Sequence, residues 1–249
     1  MIFEGTLILS VIFIILFFFY KQAVKEYRIL QTDSFEKVLP LVNERSPIVV
    51  HPAPITELWT QKDLTQRPQL KKEVEPFLKK ISFFEPSFGQ ALATKIGFPI
   101  WVNQTILAPL KNLWWGPLLW SQTRATIGPQ GLRPTFGFCT IILATEGALQ
   151  VSLLNESSDP YLPVKWLGKR LTKLTRDEAP LLKQIKFVDV IVRTGSALVV
   201  PPHWKVCWEN YEKPTPFLGV WIDIHHPISF IAQQVFYRKT KTLYKEIKQ

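Results

Sequence analysis

The stretch from Val188 to Trp208, VDVIVRTGSALVVPPHWKVCW, decides how the rest of the chain is read. Val188, Val190 and Val192 alternate with Asp189, Ile191 and Arg193, the period of a β-strand. Thr194, Gly195 and Ser196 supply a turn, and Gly195 is free to take positive φ. Ala197 to Val200 is a second apolar run, ended by Pro201 and Pro202, which cannot donate ladder hydrogen bonds. Trp204, Cys207 and Trp208 follow closely. Two short strands, a turn and a tryptophan-rich exit predict a β domain.

Upstream, Ser46-Pro47-Ile48-Val49-Val50 reads as a strand entered through proline, and Val24, Tyr27 and Leu30 place a polar helix within residues 21–42. Asp33 or Ser34 is positioned to cap a further turn leading into Phe35, Val38 and Leu39. Residues 51–109 are broken by prolines, which confines regular structure to a helix around residues 69–80. Trp114 and Trp115 form an aromatic knot with Trp120, as core or as a recognition surface.

Three segments together resemble the cupin-like JmjC family. Ile127-Gly128-Pro129-Gln130-Gly131 is similar to a family Ile-Gly-Pro-x-Gly motif, the run Thr145-Glu146-Gly147-Ala148 followed by Val151 to Leu154 to a later family strand, and Asp159-Pro160-Tyr161-Leu162-Pro163 to the tail that follows it. The run ALVVPP followed by Trp204 is similar to the late family strand that precedes a metal-binding His. The resemblance implies a mainly β fold, a double-stranded β-helix (cupin or jelly-roll) barrel with peripheral helices. It also implies an oxygenase holding Fe(II) and 2-oxoglutarate through a His-x-Asp motif and a later His.

Those ligands are missing. The first place holds Thr135, Phe136, Gly137 and Phe138, and the later one Lys205, Val206 and Cys207. A non-haem iron site needs two His and one carboxylate on one face. The expectation is therefore a degenerate barrel with no metal and no cofactor, working as a membrane-anchored binding or structural module. Its alternative is an Fe(II)/2-oxoglutarate oxygenase with ligands moved to Asp223, His225 and His203. Asp223 and His225 share a face if residues 221–225 form a strand. In a third reading the barrel takes a small anionic or lipid ligand without metal, with Lys205 in its mouth. Trp204, Trp114 and Trp115 are the other candidate binding residues, the Trp-rich surface being a contact site if the module belongs to a larger assembly. Phe136, Phe138, Trp204 and Val206 filling the interior would count against the oxygenase.

The N-terminus predicts the location. Residues 2–20, IFEGTLILSVIFIILFFFY, carry no charge after Glu4, and nineteen helical residues span roughly 28 Å, close to a bilayer core. A cleaved signal would have a basic start and a small-residue site, which are absent. Lys21, Lys25 and Arg28 lie behind the span, which turns the body to the cytoplasm. The sequons at Asn103 and Asn155 argue weakly for a lumenal body. The domains expected are residues 1–20 as anchor and 21–249 as barrel, with a basic C-terminal helix at 228–248. The formal charge of +10 over 249 residues suits anionic partners, and no nucleic-acid motif stands out. Lys21, Lys25, Arg28, Arg238, Lys239, Lys241 and Lys245 are the candidates for a lipid surface, with a protein assembly as the other partner. Cys139 and Cys207 are too few for a recognisable metal spacing and read as buried free thiols.

Overall fold

A computed structural model describes residues 2–21, 26–53, 72, 86–111, 116–163, 166–175, 181–211, 218–231 and 233. Trp114, Trp115, Lys25, Arg238, Lys239, Lys241 and Lys245 lie outside the described residues. So does most of the helix expected at 69–80 and of the basic terminal helix.

The first helix, α1 (Ile2–Lys21), is 20 residues long. Its side chains are described over residues 4–18; from Leu7 on they are apolar except Ser10 and nearly all exposed, with Leu9 68% and Phe18 65% exposed. Among the described residues no helix is long and apolar enough to cross a membrane, so the span expected over 2–20 is not found among them.

Ten strands follow: β1 (Leu30–Thr32), β2 (Ile48–Val50), β3 (Trp120–Ile127), β4 (Gln130–Pro134), β5 (Cys139–Ala144), β6 (Ala148–Leu154), β7 (Val188–Arg193), β8 (Ala197–Val200), β9 (Lys205–Asn210) and β10 (Leu218–His225). They form a six-stranded sheet in the order β1-β2-β8-β5-β10-β3 and a four-stranded sheet in the order β4-β9-β6-β7. This alternation of consecutive strands between two facing sheets is the double-stranded β-helix the sequence predicts.

The opening stretch behaves differently from a hairpin. β7 pairs with β6 while β8 pairs with β5 and β2, so the turn at Gly195 (φ 86°) carries the chain from one sheet to the other. The polar helix expected over 21–42 also gives way. Residues 30–32 pair in parallel with 48–50, and among the described residues from 26 to 42 the α-helix is confined to α2 (Val38–Val42), behind a 3₁₀ turn at Phe35–Lys37. Ser34 caps that turn, its hydroxyl accepting from the Glu36 N–H at 3.1 Å.

Three clusters are buried. The inner one lies between the sheets and contains Ile142, Leu149, Val151, Leu198, Val206, Trp208 and Trp221, with the two indoles 5.5 Å apart. A second sits behind the large sheet, where α3 (Pro86–Ile96) and the helical run after Phe98 cover Ile141, Leu143, Val220 and Ile222. The third lies behind the small sheet, under the β6–β7 connection, and includes Leu132, Leu154, Ile185 and Cys207. This connection also closes the edge of β4. Leu132 N–H donates to Lys169 O at 2.8 Å and Gly168 N–H to Leu132 O at 2.9 Å. Gly131 is required there, since a Cβ would lie 1.9 Å from Gly168 O.

Candidate functional site

The face each side chain takes follows from strand parity. On β10, Val220, Ile222 and Ile224 enter the outer helical cluster and Trp221 the inner one. Asp223 and His225 keep step with Trp221 and therefore point between the sheets. Opposite them in register stand Gln122 and Trp120 of β3, with Arg124 beside Trp221 and Thr140 of β5 beside Asp223.

These residues form a polar cluster at one end of an otherwise apolar interior. Asp223, 5% exposed, accepts from the Thr140 hydroxyl at 2.7 Å, and its other oxygen lies 3.5 Å from the Arg124 guanidinium. His225 is 0% exposed, and among the described residues neither ring nitrogen has a hydrogen-bond partner. The rings of Trp120 (5.9 Å) and Phe230 (6.2 Å) cover it. A buried polar group left unpaired costs roughly 1–3 kcal/mol, so two on one imidazole call for an explanation. Burial lowers the His225 pKa, opposed by the Asp223 carboxylate and helped by Arg124. His226 beside it is pushed down to about 4 by burial and then by His225. Its Nδ1 accepts from Ser229 N–H at 3.1 Å, its ring meets Phe138 at 5.3 Å, and it is half-buried.

The rim where the family would hold its metal is built from other groups. The Thr135 hydroxyl is 0% exposed, donates at 2.7 Å to Pro201 O, and accepts from Trp204 N–H at 3.1 Å. Phe138 packs on the outer helical cluster and donates its N–H to Ile224 O at 2.6 Å. A Cβ on Gly137 would lie 2.7 Å from Ile224 O and 2.8 Å from Cys139 O, so backbone has closed on a place where no side chain fits. Val206 is fully buried in the inner cluster, as is Trp204 at 3%. Of the four expected fillers, then, Trp204 and Val206 fill the interior. Phe136 is half-buried and Phe138 turns outward.

Lys205 is not in the mouth. It alternates with inward Val206, so its side chain passes behind the small sheet, where it pairs with Asp159 and lies 5.6 Å from the centre of the Trp166 ring. His203 stands in the β8–β9 turn at φ 70°, its N–H donating to Thr135 O at 2.9 Å, and it does not join Asp223 and His225. Among the described residues no group of three His, Cys, Asp or Glu could hold a metal ion. Lys21 ends α1, and Arg28 sits at the surface 3.6 Å from Glu44. Burial pushes both thiols, Cys139 and Cys207, up to about 12, which makes them inert. Sequence reasoning missed Arg124 and Thr140, because only the pairing of β3 and β5 with β10 brings them to Asp223.

No known protein family matches the chain, and no curated protein does. Solved structures similar to it include the non-heme alpha ketoglutarate dependent carbocyclase SnoK from nogalamycin biosynthesis, at TM-score 0.44 and 11% identity over 78% of this chain and 86% of that one. Hydroquinone 1,2-dioxygenase from Sphingomonas sp. TTNP3, with 4-hydroxybenzoate bound, matches at 0.29 and 17% over 44% of this chain and 61% of that one. FeII HppE matches at 0.27 and 7% over 43% and 44%.

The expectation of no cofactor is corrected here, since the similar structures are those of iron or alpha ketoglutarate proteins. Iron, the group that the resemblance in the sequence implies, can be tested against this donor set. The rim does not fit it, being made of two Phe, a Gly, a Val and a hydroxyl already bonded to backbone. The inner cluster fits it poorly. Asp223 and His225 are two donors of the three required, and a guanidinium on the same carboxylate competes with a dication.

Proposed function

We propose that the chain is a membrane-tethered, catalytically inactive barrel of cupin type that serves as a binding or structural module. The observation that carries this is the state of the β4–β9 rim. Gly137 is walled in by backbone oxygens and Val206 is sealed in the apolar interior, so neither position can present a ligating group. Residues 1–20 are the anchor and residues 21–249 the barrel. The anchor is supported by large apolar side chains of α1, Leu7 to Leu16 and Phe18 among them, that stand 37–68% exposed. The body faces the cytoplasm, because Lys21, Lys25 and Arg28 follow the helix and only Glu4 stands in its first turn. Its partners are the bilayer and either an anionic lipid surface or a protein assembly.

Alkaline carbonate tests the tether. The full chain stays with the membrane, and a variant carrying Ile12→Arg and Ile15→Arg is extracted, since each arginine at a helix centre opposes insertion by about 2.5–3.5 kcal/mol. Extraction of the unaltered chain removes the tether from the proposal.

One observation favours a second function. The nitrogens of His225, unpartnered among the described residues and two residues from Asp223, give with that carboxylate two of the three donors that an Fe(II)- and 2-oxoglutarate-dependent oxygenase with relocated ligands needs. Ferrous iron then raises the melting temperature of the unaltered chain and leaves His225→Ala unmoved. At a hundredfold excess over Kd the stabilisation is about 2.7 kcal/mol.

A further inference from the structure

Tyr27 is the sixth residue after the end of α1, so chain length alone holds it within about 20 Å of that end. Its place on the barrel is fixed at four points. The phenol donates to Lys186 O at 2.7 Å, lies 3.1 Å from the Ser158 hydroxyl, and accepts from Asn155 N–H at 3.3 Å. The ring stands edge-on to Trp204 at 5.8 Å. Asn155 and Ser158 open the β6–β7 connection and Lys186 closes it. The anchor is therefore latched to both ends of one surface segment.

That segment has the composition of a lipid-facing surface. Its described residues from 166 to 187 carry Lys169, Arg170, Lys173, Lys183 and Lys186 and no acidic residue. Lys165 and Arg176 are offset by Asp177 and Glu178, which leaves net +5 over residues 165–187, half of the chain's +10. Lys173, Lys183 and Lys186 are exposed. Between them two large apolar side chains stand out in solvent, Leu181 at 47% and Phe187 at 48%. Beneath, Leu174 and Ile185 are buried on the small sheet, so the segment is fixed to the barrel. Of the two acids near its start, Asp159 is paired with Lys205.

We infer that the β6–β7 connection is the face this barrel lays on the membrane that holds α1, with Leu181 and Phe187 entering the interface and Lys173, Lys183 and Lys186 meeting anionic headgroups. The inference rests on α1 entering a bilayer. The tether's length and its latch at Lys186 place this face, rather than the α3 side, next to the membrane.

The full chain is reconstituted in vesicles of phosphatidylcholine with phosphatidylserine, carrying an environment-sensitive fluorophore on Phe187→Cys. Cys139 and Cys207 are buried and leave the new thiol as the labelling site. Gln90→Cys, exposed on α3, is the control, and Leu181→Cys is a second probe against a local effect of the first substitution. Quenchers in the lipid tails are expected to quench positions 187 and 181 several-fold more than position 90. Lys173→Glu, Lys183→Glu and Lys186→Glu together bring that ratio towards one. Probes at 187 and 181 as aqueous as the one at 90, in a chain that resists carbonate, overturn this inference alone. A chain that carbonate extracts overturns it together with the tether. A probe that responds to a DNA duplex and not to vesicles overturns it by assigning the basic face to nucleic acid.

Discussion

Replacing Arg124 by Met lowers the unfolding free energy by about 3–5 kcal/mol, because it leaves a buried carboxylate without its counter-charge. Asp223 is 5% exposed and, among the described residues, keeps the Thr140 hydroxyl at 2.7 Å once the guanidinium is gone. Met conserves most of the stem, so the loss reports the stranded charge more than a cavity. The double variant Arg124→Met with Asp223→Leu recovers most of the loss, since an apolar pair of similar volume inside a protein is often no less stable than the ion pair. Urea unfolding of the chain in mild detergent measures both. Equal losses in the single and double variants would show that packing, and not the pair, holds this end of the barrel.

Acidification produces the second large effect. Burial holds the imidazoles of His225 and His226 neutral in the folded chain, His226 down to about 4, while in the unfolded chain both titrate near 6.5. The unfolded state therefore binds more protons below pH 6.5. The stabilising contribution is complete above that value and is lost as pH falls from 6.5 through about 4. His226 alone adds a slope of up to about 1.4 kcal/mol per pH unit and about 3 kcal/mol over the whole window, and His225 acts in the same direction. Protonation has a structural consequence at His226, whose Nδ1 accepts from Ser229 N–H and helps to start the turn at 227–231. The midpoint of urea unfolding, followed from pH 7.5 to pH 4, should fall steeply in the unaltered chain and less steeply in His226→Asn. A flat profile would mean that these rings are hydrated in solution.

Much of the fold was readable from local pattern. Alternation marked β7, the prolines marked the end of β8, Gly195 marked a turn, and Ser34 marked a cap. What the pattern could not carry was partnership across long stretches of chain. The turn at Gly195 looks like a hairpin turn, yet β7 and β8 find partners in different sheets because the two faces of the barrel bury different clusters. Residues 30–32 have helical spacing around them, but pairing with 48–50 overrides it. Lys205 illustrates the limit at the site. Both faces of β9 are covered, one by the opposite sheet and one by the β6–β7 connection, so the side chain that belongs outside cannot be told from hydrophobicity alone. For Asp223 and His225, parity was legible and gave the correct shared face. Their surroundings were not, since Arg124 lies about a hundred residues earlier and is brought in only by the register of β3.

The measurement that bears most directly on a non-catalytic barrel is turnover of 2-oxoglutarate by the full chain, supplied with Fe(II), ascorbate and oxygen and followed as succinate released. With Phe136, Phe138 and Val206 at the rim and a guanidinium on the inner carboxylate, succinate is predicted to stay at the level of the protein-free control. Succinate above that level, and lost in His225→Ala, would contradict the proposal and make the chain an oxygenase whose ligands stand on β10.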